Sequence, residues 1–317
     1  MAVSDGNIAP GRAIVLMAVY NGERFLDEQL RSVADQSFAA IDMLVSDDGS
    51  QDGSRDLLES WQGRWDKGAF RIVDGPKLGF AANFRHLMLN AGELPDYVAF
   101  CDQDDVWDHD KIERQVGRLR LSGPDIPALS CGRTRTMKED GSLAGMSPLF
   151  SRRPNFRNAI VQSIAGGNTM VLNRAAFRLV AEAARRSPFV SHDWWSYLVV
   201  SGAGGIVDYS AEPTISYRQH EDNLVGANNS ARARLQRMKA ALFSDRFANW
   251  NSQNLEGLAR CRDMLSDDAR DVISDFETCR SDPRVATRLR TLVSSGIHRQ
   301  TTLGQVSLYG ACILKRL

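Results

Sequence analysis

Asp102-Gln103-Asp104 places two carboxylates at the end of an apolar run, YVAFCDQDD (97–105). In extended chain, residues i and i+2 point the same way, so both side chains can face one ligand. Two such carboxylates repel each other unless a cation lies between them. Hard oxygen donors of this kind suit Mg2+ or Mn2+, which keep waters and take substrate phosphate oxygens as further ligands. A plainer reading has Asp104 or Asp108 capping the helix that follows. Two further polar clusters, Tyr20-Asn21 and Asp47-Asp48-Gly49-Ser50, also end apolar runs.

The elements behind these clusters follow from the hydrophobic pattern. AIVLMAV (13–19) is a continuous β-branched apolar run, expected as a buried strand of a parallel sheet. NGERFLDEQLRSVADQS then carries Phe25, Leu26, Leu30 and Val33 at helical spacing. Strands are expected at 41–50, 70–74 and 97–105, and helices over SRDLLESW, 79–91 and 109–121. Four strand–helix alternations predict an α/β fold, a mainly parallel sheet with helices on both faces. Ligands in such sheets bind beyond the carboxyl ends of the strands, where all three polar clusters fall.

The second half is less regular. ALSCGRTRTM reads as one strand followed by a turn, and IAGGNTMVLNR (164–174) as a glycine pair ahead of a strand. AAFRLVAEAARR is helical, SHDWWSYLVVSGAGG (191–205) opens a helix near Ser191, and IVDYSAEPTISYRQH (206–220) reads as strand, turn, strand. Gly166 and Gly167 either let backbone approach a ligand closely or form an ordinary turn. From about residue 230 the pattern is helical, with a break at Ser281-Asp282-Pro283.

Composition narrows the class. The 317 residues are 43% hydrophobic and 25% charged, as in an ordinary globular protein. Lys plus Arg and Asp plus Glu are 39 each, and a neutral chain is a poor non-specific binder of nucleic acid. The neutrality hides an asymmetry: residues 230–317 carry a balance of +6 and the remainder −6. Five cysteines without a C-x-x-C indicate neither a disulfide framework nor zinc, and fit a reducing cytosol. The opening residues have no signal-peptide pattern and no run of about 18 apolar residues occurs, so a cytoplasmic location is expected.

The set AVYNGERFLDEQLRSVADQS, VSDDGSQDGS, GFAANF, FCDQDDVWDHDKI, SHDWW and YRQHEDNLVG resembles the family 2 glycosyltransferases, which have the GT-A fold. Within that family it is most similar to bacterial polysaccharide-assembly enzymes often labelled rhamnosyltransferases. The matches run in order from about residue 13 to 226, roughly seven tenths of the chain. The resemblance implies a nucleoside-diphosphate sugar donor (dTDP-, UDP- or GDP-linked), a saccharide or lipid-linked acceptor, and Mn2+ or Mg2+. By similarity, backbone around Ala18, Tyr20 and Asn21 and the Asp47 side chain contact the base, with Asp48 in the same turn ranked below. Asp102 then lies near the ribose, Asp104 is the principal metal ligand, and His220 completes the metal or diphosphate site. Gly79 and Asn83 fall where the family shapes the donor pocket. Arg218 offers either a further positive group for the donor or a surface salt bridge.

In the similar family the aspartate of the SHDWW motif is the general base of an inverting displacement, which assigns that role to Asp193. The family often has Glu-Asp here, whereas this chain has His192-Asp193. Trp194 and Trp195 are expected to carry acceptor sugar rings on their faces and to raise the basicity of the carboxylate by reducing its hydration. The alternatives are that Ser191 or Asp193 caps a helix whose tryptophans fill the core, or that His192 is the base.

These readings divide the chain into a catalytic region, 1–229, and a helical C-terminal region, 230–317. Within the first, a nucleotide-sugar half covers about 13–125 and an acceptor half about 126–229. Arg232, Arg234, Arg237 and Lys239, with the apolar, basic-ended VSLYGACILKRL, suit packing on the catalytic body, a homodimer, or peripheral contact with the inner face of the plasma membrane. Two rivals remain. A nucleotidyltransferase would release pyrophosphate and normally has a Gly- and Lys/Arg-rich loop where this chain reads VYNGERF. A non-catalytic glycan- or nucleotide-binding subunit would favour an eroded acidic motif, whereas Asp102, Asp104 and Asp193 are all present.

Overall fold

The computed structural model describes residues 11–93, 95–220 and 245–317. The last residues of the YRQHEDNLVG motif, the basic group at 232–239 and the proposed boundary near 229 lie outside them. A seven-stranded sheet forms the centre, in the order β10-β6-β9-β4-β1-β2-β3. Its strands are β1 (Ala13–Val19), β2 (Ile41–Asp47), β3 (Phe70–Asp74), β4 (Tyr97–Cys101), β6 (Ala128–Gly132), β9 (Val171–Asn173) and β10 (Ile206–Ser210). β9 runs antiparallel to both β4 and β6; the other pairs are parallel. The parallel strands are joined through α1 (Glu23–Ala34), α2 (Ser54–Arg64) and α3 (Phe80–Leu89).

The continuous apolar strands have a simple cause: both faces of the sheet are covered. In β1, Ile14 and Leu16 enter one core while Ala13, Val15, Met17 and Val19 enter the other. The second core is closed by α1, α2 and α4 (Lys111–Arg120). The first is closed by α3, α6 (Arg174–Arg186) and α7 (His192–Gly202). Four further helices, α8 (Arg246–Arg260), α9 (Asp267–Ser281), α10 (Val285–Ser294) and α11 (Thr302–Ile313), add Phe247, Leu258, Phe276 and Leu308 to that same cluster. The described C-terminal helices therefore pack on the catalytic body.

The first four strand–helix alternations stand where the pattern put them, although β4 stops at Cys101 and Asp102–Asp105 form a loop. The second half differs. ALSCGRTRTM is not one strand but two, β6 and β7 (Arg135–Lys138), which belong to different sheets. β7 joins a four-stranded sheet, β5-β11-β7-β8, with β5 (Val106–Trp107), β8 (Leu143–Met146) and β11 (Ile215–Gln219). The one helix not foreseen before α6 is the short α5 (Phe156–Ala159).

Candidate functional site

Sheet order puts the carboxyl ends of β4, β1 and β2 side by side. Three loops leave from that edge, and side chains tie them together. The Tyr20 amide donates to Gln103 Oε1 (2.7 Å), and Gln103 Nε2 donates to the Tyr20 carbonyl (3.0 Å). Asn21 holds a left-handed conformation (φ 48°), its amide donating to Ser50 Oγ (2.9 Å) and its Oδ1 accepting from the Gln51 amide (2.8 Å). Tyr20 is 56% exposed at the rim, and Ala18 is partly buried beneath it.

At the β2 end, backbone donors meet the carboxylates. Asp47 Oδ1 accepts from the Ser50 amide (2.9 Å). Asp48 accepts from the amides of Lys77 (2.6 Å) and Gly79 (2.9 Å), which locks the loop between β3 and α3. That loop needs its glycine, since Gly79 sits at φ 86°. Asn83 Nδ2 donates to the Ser46 carbonyl (3.1 Å), so Asn83 is buried as a brace on β2. Asp48, Gly79 and Asn83 thus shape the wall, and Asp47 lies beside Asn21 and Ser50 at its edge.

The β4 end is built differently. Asp102, Asp104 and Asp105 crowd together, and burial, then Asp104 and Asp193, push the Asp102 carboxyl up to about 7. The electrostatic reach of Asp193 onto Asp102 brings the SHDWW aspartate to the acidic loop. Asp193 occupies the first turn of α7 and accepts from Ser163 Oγ (3.2 Å). Burial, then Asp104 and Asp102, also raise Asp105 well above the usual carboxylate range, opposed by hydrogen bonds from Asn168 and the Arg218 amide.

β11 closes the site. It pairs antiparallel with β5, Ser216 opposite Val106, and continuing that register carries Arg218 and His220 back along the Asp102–Asp105 loop. His220 Nε2 lies 2.7 Å from Asp104 Oδ2, and its ring packs against Phe25 with centroids 5.3 Å apart. A wide hollow beside His220 is lined by Lys138, Glu139, Asp140 and Gln219. Arg218 is not a surface salt bridge, because its side chain is buried. It is 2% exposed and donates to the Asp104 carbonyl (3.0 Å), the Glu139 carbonyl (3.1 Å) and Glu28 Oε2 (2.5 Å). Its guanidinium clamps the loop that presents Asp104.

Three expectations need correction. Trp195 is fully buried and Trp194 is 6% exposed, its indole donating to the Ala159 carbonyl (2.6 Å). α7 is apolar on nearly every side and sits inside the core, so neither ring face is open to a sugar. His192 is also buried, stacked on Phe84 with centroids 3.6 Å apart, and burial lowers its pKa to about 4. It is weakly basic and walled off by Phe84 and Phe100, which argues against it as the base. A Cβ on Gly167 would overlap the His192 ring, so this glycine admits an imidazole rather than a ligand.

Pattern reading passed over several residues that hold the site. Asp105 is fully buried between the Arg218 amide and Asn168 Nδ2. Lys111 is buried behind it, its amine over the Trp107 ring (4.2 Å), and burial lowers its pKa to about 7. Asp105 was visible only as the last of three similar carboxylates. Asn168 carried no signal, because its partner lies 63 positions away.

The donor set fits a hard divalent cation. Mg2+-type sites use one or two protein carboxylates and complete their shell with water and phosphate oxygens. Here burial and neighbouring carboxylates raise Asp102 and Asp105, and Asp104 Oδ2 and His220 Nε2, paired 2.7 Å apart, offer two ligand atoms. Neighbouring ligands of a six-coordinate ion stand about 3 Å apart. Among the described residues no three His, Cys, Asp or Glu side chains form a closed cage, so substrate oxygens would have to complete the shell.

Residues 14–180 match the model for glycosyl transferase family 2. The chain is 28% identical over 235 residues to the dTDP-rhamnosyl transferase RfbG of Shigella flexneri, covering 70% of this chain and 78% of that one. A shorter match, 29% over 106 residues, is to the Escherichia coli UDP-Glc:alpha-D-GlcNAc-diphosphoundecaprenol beta-1,3-glucosyltransferase WfgD, covering 33% of this chain and 40% of that one. In three dimensions it resembles S. aureus TarS 1–349 in complex with UDP-GlcNAc (TM-score 0.52, 14% identity, 96% of this chain and 89% of that one). It also resembles GalNAc-T7 with UDP, GalNAc and Mn2+ (TM-score 0.51, 12% identity, 75% of this chain and 50% of that one). These likenesses agree with a GT-A fold.

Proposed function

The chain belongs to glycosyl transferase family 2 and is a glycosyltransferase, and from that premise we propose a metal-assisted, inverting transfer of a sugar from a nucleoside diphosphate to a saccharide or lipid-linked acceptor. The observation that carries this reading is the convergence of Asp102 and Asp104 from the loop after β4, His220 from the end of β11 and Asp193 from α7, three separate elements, beside the nucleotide-side turns. Asp47 and the Ala18–Asn21 backbone receive the base, and Asp102 the ribose. A divalent ion held by Asp104 and His220 would neutralise the diphosphate as it leaves. Asp193 accepts the acceptor hydroxyl's proton as the new C–O bond forms and the sugar–phosphate bond breaks. One base suffices, with no covalent sugar intermediate.

The printed names of the relatives favour surface-polysaccharide assembly as the setting, with RfbG pointing to dTDP-rhamnose and WfgD to a lipid-linked acceptor. We place the enzyme in the cytoplasm, where such donors would meet it. No helix among the described residues is long and apolar enough to cross a membrane.

The test is a thermal-shift screen of dTDP, UDP and GDP and their sugars, with and without Mn2+. A ligand that binds only the native state raises its melting temperature. The reading expects one nucleotide to stabilise the chain in a Mn2+-dependent manner, and turnover to release nucleoside diphosphate. Release of pyrophosphate instead, or the same nucleotide shift without metal, would overturn it.

A further inference from the structure

The helix α11, TLGQVSLYGACI, contains no charged residue. Such a helix is normally buried on all sides. Here Leu308, Ala311 and Cys312 pack into the core, while Leu303 (46%), Val306 (58%) and Ile313 (46%) stay exposed, with Leu314 (52%) just beyond. Positions 303, 306 and 313 lie on one helical stripe. The neighbouring α10 adds exposed Val293 (64%). The stripe is held rigidly: Arg288 of α10 donates to the Cys312 (3.0 Å) and Ile313 (2.9 Å) carbonyls at the end of α11.

Charge says what this face fits. From Pro283 to Leu317 there is no Asp or Glu, but there are five Arg and one Lys. Arg288 and Arg299 are turned inward, and Arg284 and Arg316 pair with Asp282 and Asp245. Arg290 and Lys315 are exposed on the same two-helix face. A second copy docked here symmetrically would set Arg290 and Lys315 against their own kind, with no Asp or Glu on either helix to answer them. An anionic bilayer takes the apolar stripe into its headgroup boundary and supplies phosphates to the cations.

We propose that the α10–α11 face docks on an anionic lipid surface, Leu303, Val306, Ile313 and Leu314 entering the headgroup boundary while Arg290 and Lys315 meet lipid phosphates. This stands apart from the catalytic reading, whose nucleotide binding involves none of these residues. The full chain is sedimented with vesicles of phosphatidylcholine containing a quarter phosphatidylglycerol, and with phosphatidylcholine alone. Binding to the mixed vesicles only is expected, weakened about five-fold by Lys315→Ala. Val306→Glu with Ile313→Glu should abolish it while nucleotide binding is retained. The proposal is overturned if the chain ignores anionic vesicles, if these substitutions leave pelleting unchanged, or if the chain forms a dimer that Val306→Glu separates.

Discussion

Two acidic loops leave the same sheet edge, one after β2 and one after β4, and they satisfy their charges in opposite ways. Asp48 is met by two backbone amides and Asp47 by a third. Backbone donors answer those carboxylates and so fix the loops. After β4, three carboxylates crowd with Asp193 nearby; Asp102 is pushed upward by burial, Asp104 and Asp193, and Asp105 by burial, Asp104 and Asp102. This second loop holds more negative charge than its own donors answer. The residue type is the same in both places. What separates the two turns is how fully donors answer the carboxylates: backbone N–H groups meet both Asp47 and Asp48, whereas Asp102 and Asp105 stay raised by burial and neighbouring carboxylates despite the Arg218 amide on Asp105.

The sharpest way to break this contrast is to remove the ligand that the β4 loop offers. Asp104→Ala should lower kcat/KM by about 10⁴-fold, several kcal/mol of leaving-group stabilisation. It should also abolish Mn2+-dependent nucleotide binding in calorimetry, yet leave the metal-free melting temperature equal or higher, because relief of the repulsion on Asp102 and Asp105 offsets the lost His220 pairing. Asp193→Asn should cost about 10³-fold in kcat, within the usual worth of a general base. Donor binding and its metal dependence should be unchanged in the same titration. Retained turnover in Asp193→Asn would move the proton acceptor elsewhere.

The parallel half was legible because its signals are local. AIVLMAV and IDMLVSD are apolar throughout since helices cover both faces, and the polar residues that end them mark the site edge. The same locality failed at ALSCGRTRTM, where nothing in the sequence reveals that the chain changes sheets between Gly132 and Arg135. Trp194 and Trp195 were misjudged because two aromatics beside a carboxylate look alike in a cleft and in a core. What buries them arrives from afar, Trp250 lying 6.3 Å from Trp194 between centroids and Gly257 pressing on Trp195. Arg218 likewise is a clamp through distant partners, the Asp104 and Glu139 carbonyls and Glu28, the last 190 positions away.

On the β2 side the expected outcome is reversed. Asp48→Ala strips the partners from the Lys77 and Gly79 amides, leaving part-buried donors unsatisfied. Hydrogen bonds to a charged group are each worth about 1.5–3 kcal/mol, and part of the loss is recovered by water, so about 3 kcal/mol of unfolding free energy should go. Denaturant unfolding measures it. The Mn2+ concentration dependence of the remaining folded enzyme should match the parent chain. A shifted metal dependence would show that the two loops act as one site.

The smallest effect is the most direct reading of unanswered charge. Asp102 holds its proton more tightly in the folded chain than in the unfolded one, its pKa raised to about 7 by burial and then by Asp104 and Asp193. Below about pH 4 both states are protonated and contribute no difference. Between there and about pH 7 the unfolded chain has released the proton and the folded chain retains it, so stability falls as pH rises and then levels off. A rise from the usual carboxylate range to about 7 is worth about 4 kcal/mol in full. Asp102 keeps part of its surface in water, and screening should leave on the order of 2 kcal/mol. Metal-free protein should therefore lose melting temperature from pH 5 to 7.5, Asp102→Asn should flatten the slope, and Mn2+ should oppose it by favouring the ionised carboxylates. A metal-free profile that rises over this range in parent and Asp102→Asn alike would mean that the β4 loop finds its counter-charge within the chain, and the contrast with the β2 loop would disappear.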